Sequence, residues 1–246
     1  MRFAVIADIH GNHLALEAVL ADIRAQGIED IVNLGDCFSG PLTAGKTADI
    51  LLALDAVTIR GNHDRYLIEQ TPETMHDSDR VAYEDLSPHH LDWLRSLPFS
   101  TTYKGEAYLC HATPTNDNIY WLETVSPDGY IHLKPLEEIE TFAVGVDFPL
   151  ILCGHSHIPR AVRLSDGRLI VNPGSVGCPA YDDDLPYYHK VEAGHPLASY
   201  AIMEKVGGLW VPTFRQVAYD HQTMAEFATK VGRADWASGL ATGWLR

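Results

Sequence analysis

The chain has 246 residues, 46% of them hydrophobic, and we expect one domain with one sizeable core over residues 1–246. Its formal net charge of −15 leaves no excess of cations, which excludes broad binding to nucleic acids and to anionic membranes. The cysteines are widely spaced without a CxxC pair, so we expect buried thiols. The first residues, MRFAVIAD, reach the carboxylate of Asp8 after too few apolar residues for a signal peptide. No run of apolar residues is long enough to span a membrane, so we expect a cytoplasmic protein.

The first half of the chain alternates predicted strands and helices. FAVIAD is typical of a buried strand, and the helical spacing of apolar residues after it ends at Gly27. DIVNLGD predicts a second strand, Ala44, Ala48 and Leu51 mark a second helix, and AVTIRGNHD predicts a third strand. Two successive βαβ crossovers predict a parallel sheet in this half.

Hairpins dominate the second half. Ser87 and Pro88 predict the start of a short helix, and LKPLEEIETFAV predicts another before the buried strand PLILC. Apolar runs separated by KGE, by SDG and by a GG pair predict three hairpins. We expect long loops after His111 and over about 178–198, and a helical segment at about 221–246. This order predicts two sheets that face each other, with helices outside.

Residue types that bind metals collect at the ends of five predicted strands, often beside a glycine. In sheets with parallel strands, ligands bind at the carboxyl ends of the strands, so these clusters can meet in one site. Because residues i and i+2 of a strand point the same way, we expect His155 and His157 to face one point. The candidate ligands are Asp8, His10, Asp36, Asn62, His111, His155 and His157.

One ion cannot bind all seven candidate ligands and still leave a coordination position for a substrate. The sequence therefore predicts two divalent cations. A carboxylate can bridge two cations through its two oxygens, and Asp36, which stands alone in its cluster, is the predicted bridge. Nitrogen and oxygen donors without thiolate suit Mn, Fe, Zn, Co or Ni better than Mg. Such ions lower the pKa of bound water from about 15.7 to near 7, which makes hydroxide available at neutral pH.

The motifs resemble the calcineurin-like metallophosphoesterase superfamily, in particular its small bacterial and archaeal phosphodiesterase-type branch. The resemblance spans most of residues 1–177 and is carried by DIHGN (8–12), GDC (35–37), GNHD (61–64), CHATP (110–114), GHSH (154–157) and NPGSVG (172–177). It implies a four-layer α/β/β/α sandwich with two facing mixed sheets. This architecture agrees with the order of strands and hairpins.

The resemblance also implies roles for the candidate residues. The first ion would be bound by Asp8, His10, Asp36 and His157, and the second by Asp36, Asn62, His111 and His155. A hydroxide that bridges the ions would attack phosphorus in line, and His63 would be the catalytic histidine that contacts the phosphate or protonates the leaving oxygen. The implied substrate is a small phosphodiester, nucleotide-like or aryl.

The motifs leave other functions open. A phosphomonoesterase or a Ser/Thr protein phosphatase would use the same ions and hydroxide. A non-catalytic metal-binding scaffold of the same fold is a third hypothesis, although such scaffolds tend to lose ligands that are present here.

Some residues near the motifs have two interpretations. Arg60 is a predicted catalytic residue that clamps a phosphate oxygen, or it is a solvated charge at the end of a strand. Asp64 caps the helix that follows it, or it orients His63. The aromatic segment 178–198 departs from the short form of the family, and it walls a pocket for a base or aryl group or forms a homodimer contact.

Overall fold

The computed structural model describes all 246 residues and contains two five-stranded mixed sheets. In the first sheet, three parallel strands from the start of the chain are extended by an antiparallel pair from its end. Its strands in spatial order are β14 (Leu209–Val217), β13 (Ala198–Val206), β1 (Arg2–Ile6), β2 (Ile31–Asn33) and β3 (Ala56–Thr58). The two predicted βαβ crossovers and the hairpin β13–β14 are confirmed.

In the second sheet, three parallel strands lie at the centre and an antiparallel strand flanks them on each side. In spatial order these are β4 (Ser100–Tyr103), β5 (Ala107–Cys110), β8 (Leu150–Leu152), β10 (Leu169–Asn172) and β9 (Arg160–Arg163). The outer pairs β4–β5 and β9–β10 are the hairpins predicted from KGE and SDG. Both sheets therefore direct the carboxyl ends of parallel strands toward connecting loops.

Eight helices accompany the sheets. They are α1 (His13–Ala25), α2 (Ala44–Leu52), α3 (Asn62–Glu69), α4 (Asp77–Asp85), α5 (Pro88–Ser96), α6 (Leu136–Phe142), α7 (His221–Lys230) and α8 (Ala234–Thr242). Ser87 caps α5 as predicted, because its hydroxyl accepts a hydrogen bond from His90 N at 3.3 Å.

The hydrophobic core is divided into layers. Side chains such as Phe3 and Leu109, from opposite sheets, pack between the two sheets. The apolar stripe of α1, including Leu16 and Ile23, covers the outer face of the first sheet. Ile139 of α6 covers the second sheet from the other side. The predicted four-layer α/β/β/α sandwich is confirmed.

Two segments expected to be loops contain small hairpins. These are β6 (Glu123–Val125) with β7 (Ile131–Leu133), and β11 (Ala180–Asp183) with β12 (His189–Glu192). The sequence predicted long loops here but not the hairpins within them, because three- and four-residue strands of mixed polarity show no apolar alternation that could reveal them.

The C-terminal segment forms two helices, α7 and α8, that pack on Leu42 through a small separate core. Residues 178–198 and the C-terminal helices are in contact, because α8 packs against β11. The longest helix, α1, has 13 residues, and no helix of the structure is long and apolar enough to cross a membrane.

Candidate metal centre

The structure brings all seven candidate ligands together at one edge of the paired sheets. Each lies in the loop that follows a strand or, for Asn62, at the first residue of the helix after β3. The first sheet contributes Asp8, His10, Asp36 and Asn62, and the second contributes His111, His155 and His157. The rule that ligands gather at the carboxyl ends of parallel strands thus operates in both sheets.

The first group of donor atoms consists of Asp8, His10 and His157, whose ligand atoms all lie within 4.8 Å of one another. The Nε2 atoms of His10 and His157 are 3.1 Å apart. The Oδ1 atom of Asp8 lies 3.6 Å from Nε2 of His157. Two imidazoles and a carboxylate at these separations can bind one divalent cation.

The second group consists of Asp36, His111 and His155, also within 4.8 Å of one another. Asn62 adjoins it, because its Oδ1 lies 3.0 Å from Nε2 of His111. Oδ2 of Asp36 lies 3.2 Å from Nε2 of His111 and 4.0 Å from Nε2 of His10. This oxygen therefore stands between the two groups.

Hydrogen bonds orient the imidazoles of the centre. The Nδ1 atoms of His10, His111 and His157 lie 2.7, 2.8 and 2.9 Å from the carbonyl oxygens of Ser39, Leu34 and Cys178. Since a carbonyl oxygen can only accept, Nδ1 carries a proton in each ring, and in the neutral imidazole Nε2 then keeps the lone pair that a cation needs. Backbone carbonyls fix the tautomer of metal-binding histidines in this way.

The backbone at five of the seven candidate ligands is strained rather than extended. Asp8, His10, Asp36, His155 and His157 all have φ between 51° and 71°, and only one other non-glycine residue of the chain has a positive φ. Side chains of L-residues disfavour this left-handed region by about 1–2 kcal/mol. The explanation of the HxH pair by alternation along a strand was wrong, because these residues lie beyond their strands in left-handed turns.

The centre buries negative charge without a lysine or arginine partner. Asp8 is fully buried and Asp36 is 1% exposed, and only histidines lie within ion-pair distance of either. Burial raises the pKa of Asp8 to about 8, and it lowers the pKa of His10 to about 4 and of His155 to about 3. A bound cation would offset the cost of burying these carboxylates, so the donor set fits divalent metals.

Asp64 holds the loop that carries Asp36. Its carboxylate is buried and accepts hydrogen bonds from the backbone N–H groups of Asp36, Cys37 and Gly61 at 2.8–3.0 Å. The bond from Gly61 caps α3, as one of the two interpretations of Asp64 predicted. A Cβ atom at Gly61 would lie 2.1 Å from Oδ1 of Asp36, so this position requires glycine.

His63 lies beside the centre and is oriented by a residue that the motifs did not indicate. Its ring is 5.5 Å from that of His10, and its side chain is 30% exposed to the cavity. Nδ1 of His63 lies 2.8 Å from Oδ1 of Asp79, a fully buried residue of α4 that also accepts from the Ser39 hydroxyl at 2.6 Å. Burial opposes protonation, but Asp36 and Asp79 raise the pKa of His63 to about 9.

No motif marked Asp79, and α4 was not predicted. Its segment, DSDRVAYED, is mainly polar, so apolar periodicity gave no signal. The only sequence signal is the pair of acidic residues, Asp77 and Asp79, in the first turn of the helix, a position that carboxylates favour.

A cavity of about 960 Å³ is lined by five of the seven candidate ligands, namely His10, Asp36, Asn62, His155 and His157. Its walls come from α3, the hairpins β6–β7 and β11–β12, and the start of α8. Arg60 does not line it; its backbone N–H donates to Pro98 O, and its Nε is buried without a partner. The cationic side chains that do line the cavity are Lys134 and Arg233.

Comparisons with known proteins agree with this architecture. A sequence model described as the calcineurin-like phosphoesterase superfamily domain matches residues 1–193. The chain is 30% identical to an uncharacterised protein of Methanocaldococcus jannaschii over 198 residues, which are 72% of this chain and 76% of the relative. It resembles the crystal structure of a metallophosphoesterase from Sphaerobacter thermophilus, with a TM-score of 0.75, 25% identity and 99% of each chain covered.

A second solved structure, that of a hypothetical protein from Pyrococcus horikoshii, has the same fold. Its TM-score is 0.76 at 20% identity, with 100% of this chain and 99% of that chain covered.

Proposed function

This chain belongs to the calcineurin-like phosphoesterase superfamily and is a metal-dependent phosphoester hydrolase, and we propose that it hydrolyses a small phosphodiester at a centre of two metal ions. The observation that carries the proposal is the pair of donor groups with Oδ2 of Asp36 between them. The first ion is assigned to Asp8, His10, Asp36 and His157, and the second to Asp36, Asn62, His111 and His155.

When bound, two divalent ions would supply an acidified water and positive charge for the phosphoryl oxygens. The donor set supports Mn, Fe, Zn, Co or Ni, because imidazole and carboxylate donors are mixed without thiolate. The cysteines nearest the ligands, Cys37, Cys110 and Cys153, are buried and unpaired. We therefore assign them a packing role.

His63 is the proposed general acid. It adjoins Asn62, it reaches the cavity, and Asp79 holds the proton on its Nδ1. A protonated Nε2 can then donate to the oxygen that leaves phosphorus, opposite the attacking water. Asp79 is a positioning residue in this proposal, because it contacts His63 and not the cavity.

We propose that residues 1–246 form one domain. The matched region ends at residue 193, yet β13 and β14, which follow it, pair directly with β1 and complete the first sheet. The centre would therefore depend on the C-terminal part of the chain for its scaffold.

A kinetic comparison of two chromogenic esters tests the function. With Mn²⁺ we expect a higher kcat/KM for bis-p-nitrophenyl phosphate than for p-nitrophenyl phosphate, and no turnover after chelation with EDTA. A preference for the monoester would overturn the diester assignment and favour a phosphomonoesterase.

A conservative variant tests the centre itself. Asp36→Asn is expected to lower the bound metal below two ions per chain and turnover by at least about 100-fold, because even indirect perturbation of a metal ligand costs 10–100-fold. Asp55→Asn is the matched control, because Asp55 is an exposed residue that follows α2 and does not line the cavity. Equal metal content in both variants would contradict the assignment of Asp36.

A further inference from the structure

Four aromatic side chains lie next to histidines at or beside the centre, and each packs against a different imidazole in a tilted or edge-on arrangement. The paired ring centroids are Trp236 and His10 at 6.1 Å, Tyr181 and His157 at 4.6 Å, Tyr120 and His155 at 5.1 Å, and Tyr66 and His63 at 5.5 Å. All four aromatic residues line the cavity. A group that extends from a phosphate bound at the centre would therefore meet aromatic rings in several directions.

The cavity is much larger than a phosphate requires. Its volume of about 960 Å³ lies at the upper end of the range of about 300–1,000 Å³ for small-molecule sites. Ile119 and Val125 add apolar surface to its walls. The space beyond the centre can thus hold an organic group of considerable size.

Contacts within the wall hold the rings in place. The hydroxyl groups of Tyr120 and Tyr181 are 2.6 Å apart, and the Tyr120 hydroxyl also lies 3.0 Å from Nε2 of the buried His189. Trp236 packs beside Gly40, where an added Cβ would lie 3.0 Å from its ring. Rings ordered before binding lose little entropy when a ligand stacks on them.

The charges of the wall disfavour a second anionic group. Asp182, Asp183 and Asp184 of the β11–β12 hairpin line the cavity and are exposed. Both cationic side chains that line the cavity already have partners. Lys134 Nζ donates to Tyr120 O at 2.6 Å, and Arg233 pairs with Asp235 at 2.6 Å. The three carboxylates would repel a polyphosphate chain, and the paired cationic side chains would not be free to bind it.

We infer that these four rings form a stacking wall that binds a planar, uncharged aromatic group of the substrate, such as a nucleobase or an aryl ring. This inference rests on the proposed function, because the phosphate must be bound at the metal centre. Trp236 is the diagnostic residue, since it lies beyond the family match at residues 1–193. The C-terminal helices therefore contribute to substrate selection.

Titration calorimetry on the Mn²⁺-loaded protein tests the wall. Adenosine 5′-monophosphate and ribose 5-phosphate carry the same phosphate and sugar and differ in the base, and phenyl phosphate adds an aryl probe. We expect adenosine 5′-monophosphate to bind roughly tenfold or more tightly than ribose 5-phosphate, as base stacking on an aromatic side chain provides. Tight binding of phenyl phosphate would identify a small aryl ring as sufficient.

Trp236→Ala should remove most of this preference and leave the Kd of ribose 5-phosphate unchanged, and Trp236→Phe should restore part of it. Trp244→Ala is the matched control, because Trp244 lies in the same segment, packs on Gly194 and does not line the cavity.

Equal affinities for the two ribose compounds in the wild type, or an unchanged preference in both Trp236 variants, would overturn the inference and leave the hydrolytic function standing. If no phosphate compound bound and no ester were hydrolysed, the proposed function itself would fail.

Discussion

The contact between His63 and Asp79 yields the most specific prediction about catalysis. Asp79→Asn keeps the shape of the side chain but removes its charge. The carboxylate is fully buried and accepts from Nδ1 of His63 at 2.8 Å, so the present bond is charge-assisted and shielded from water. Turnover should fall while the proposed metal ligands stay intact.

The size of the effect follows from the hydrogen bond. A charge-assisted bond contributes about 1.5–3 kcal/mol, and a neutral one about 0.5–1.5 kcal/mol. The difference of about 1–1.5 kcal/mol corresponds to a fall in kcat of about 5- to 12-fold. Asp79→Ala leaves His63 without its partner and should approach the loss caused by His63→Ala, about 10²- to 10⁴-fold for a missing general acid.

The assay measures kcat and kcat/KM for bis-p-nitrophenyl phosphate at saturating Mn²⁺, with metal content and thermal unfolding as controls. If Asp79 acts through His63, the double variant His63→Ala/Asp79→Ala should lose no more activity than His63→Ala alone. Losses that multiply in the double variant, or an Asp79→Asn enzyme within twofold of the wild type, would refute this reasoning.

Two further predictions concern stability. A Cβ at Gly177 would lie 1.8 Å from the carbonyl oxygen of Ile9, so Gly177→Ala should lower the free energy of unfolding by at least about 3 kcal/mol and weaken Mn²⁺ binding. Gly207 has open space around it but a φ of 58°, so Gly207→Ala should lower the free energy of unfolding by only about 1 kcal/mol. Equal effects of the two substitutions in urea denaturation would contradict this. Asp117 accepts two hydrogen bonds from the guanidinium of Arg65, at 2.7 and 2.8 Å. Asp117→Ala should lower the free energy of unfolding by about 2 kcal/mol, which is less than the loss of about 3–5 kcal/mol for a fully buried pair, because the Arg65 side chain is 24% exposed. An unchanged urea midpoint would contradict this prediction.

The sequence sufficed for the scaffold of the centre because its signals were local. The apolar stripe of α1, the parallel order of the first strands and the Gly-flanked ligands after each strand can all be recognised within a few residues. These signals predicted the two facing sheets and the convergence of strand ends. The reason given for the HxH pair was nevertheless wrong, because a left-handed φ is set by the surrounding packing and not by the local pattern.

Features that depend on distant contacts could not be predicted. Asp79 contacts His63 because α4 packs on α3. The apolar periodicity of the sequence does not predict this packing. Arg60 directly precedes the GNHD motif, yet it does not line the cavity, and its backbone N–H donates to Pro98 O, which is distant in the sequence. Trp236 lies in a segment predicted to be helical, but its position above His10 results from how α8 packs.

The central claim is that two metal ions share the carboxylate of Asp36. Diffraction at the manganese absorption edge, from crystals grown with Mn²⁺, tests it most directly. We expect two anomalous peaks per chain about 3.5–4 Å apart, one beside His10 and His157, the other beside His111 and His155, with Asp36 bound to both. A single peak, or two peaks that Asp36 does not bridge, would contradict the account.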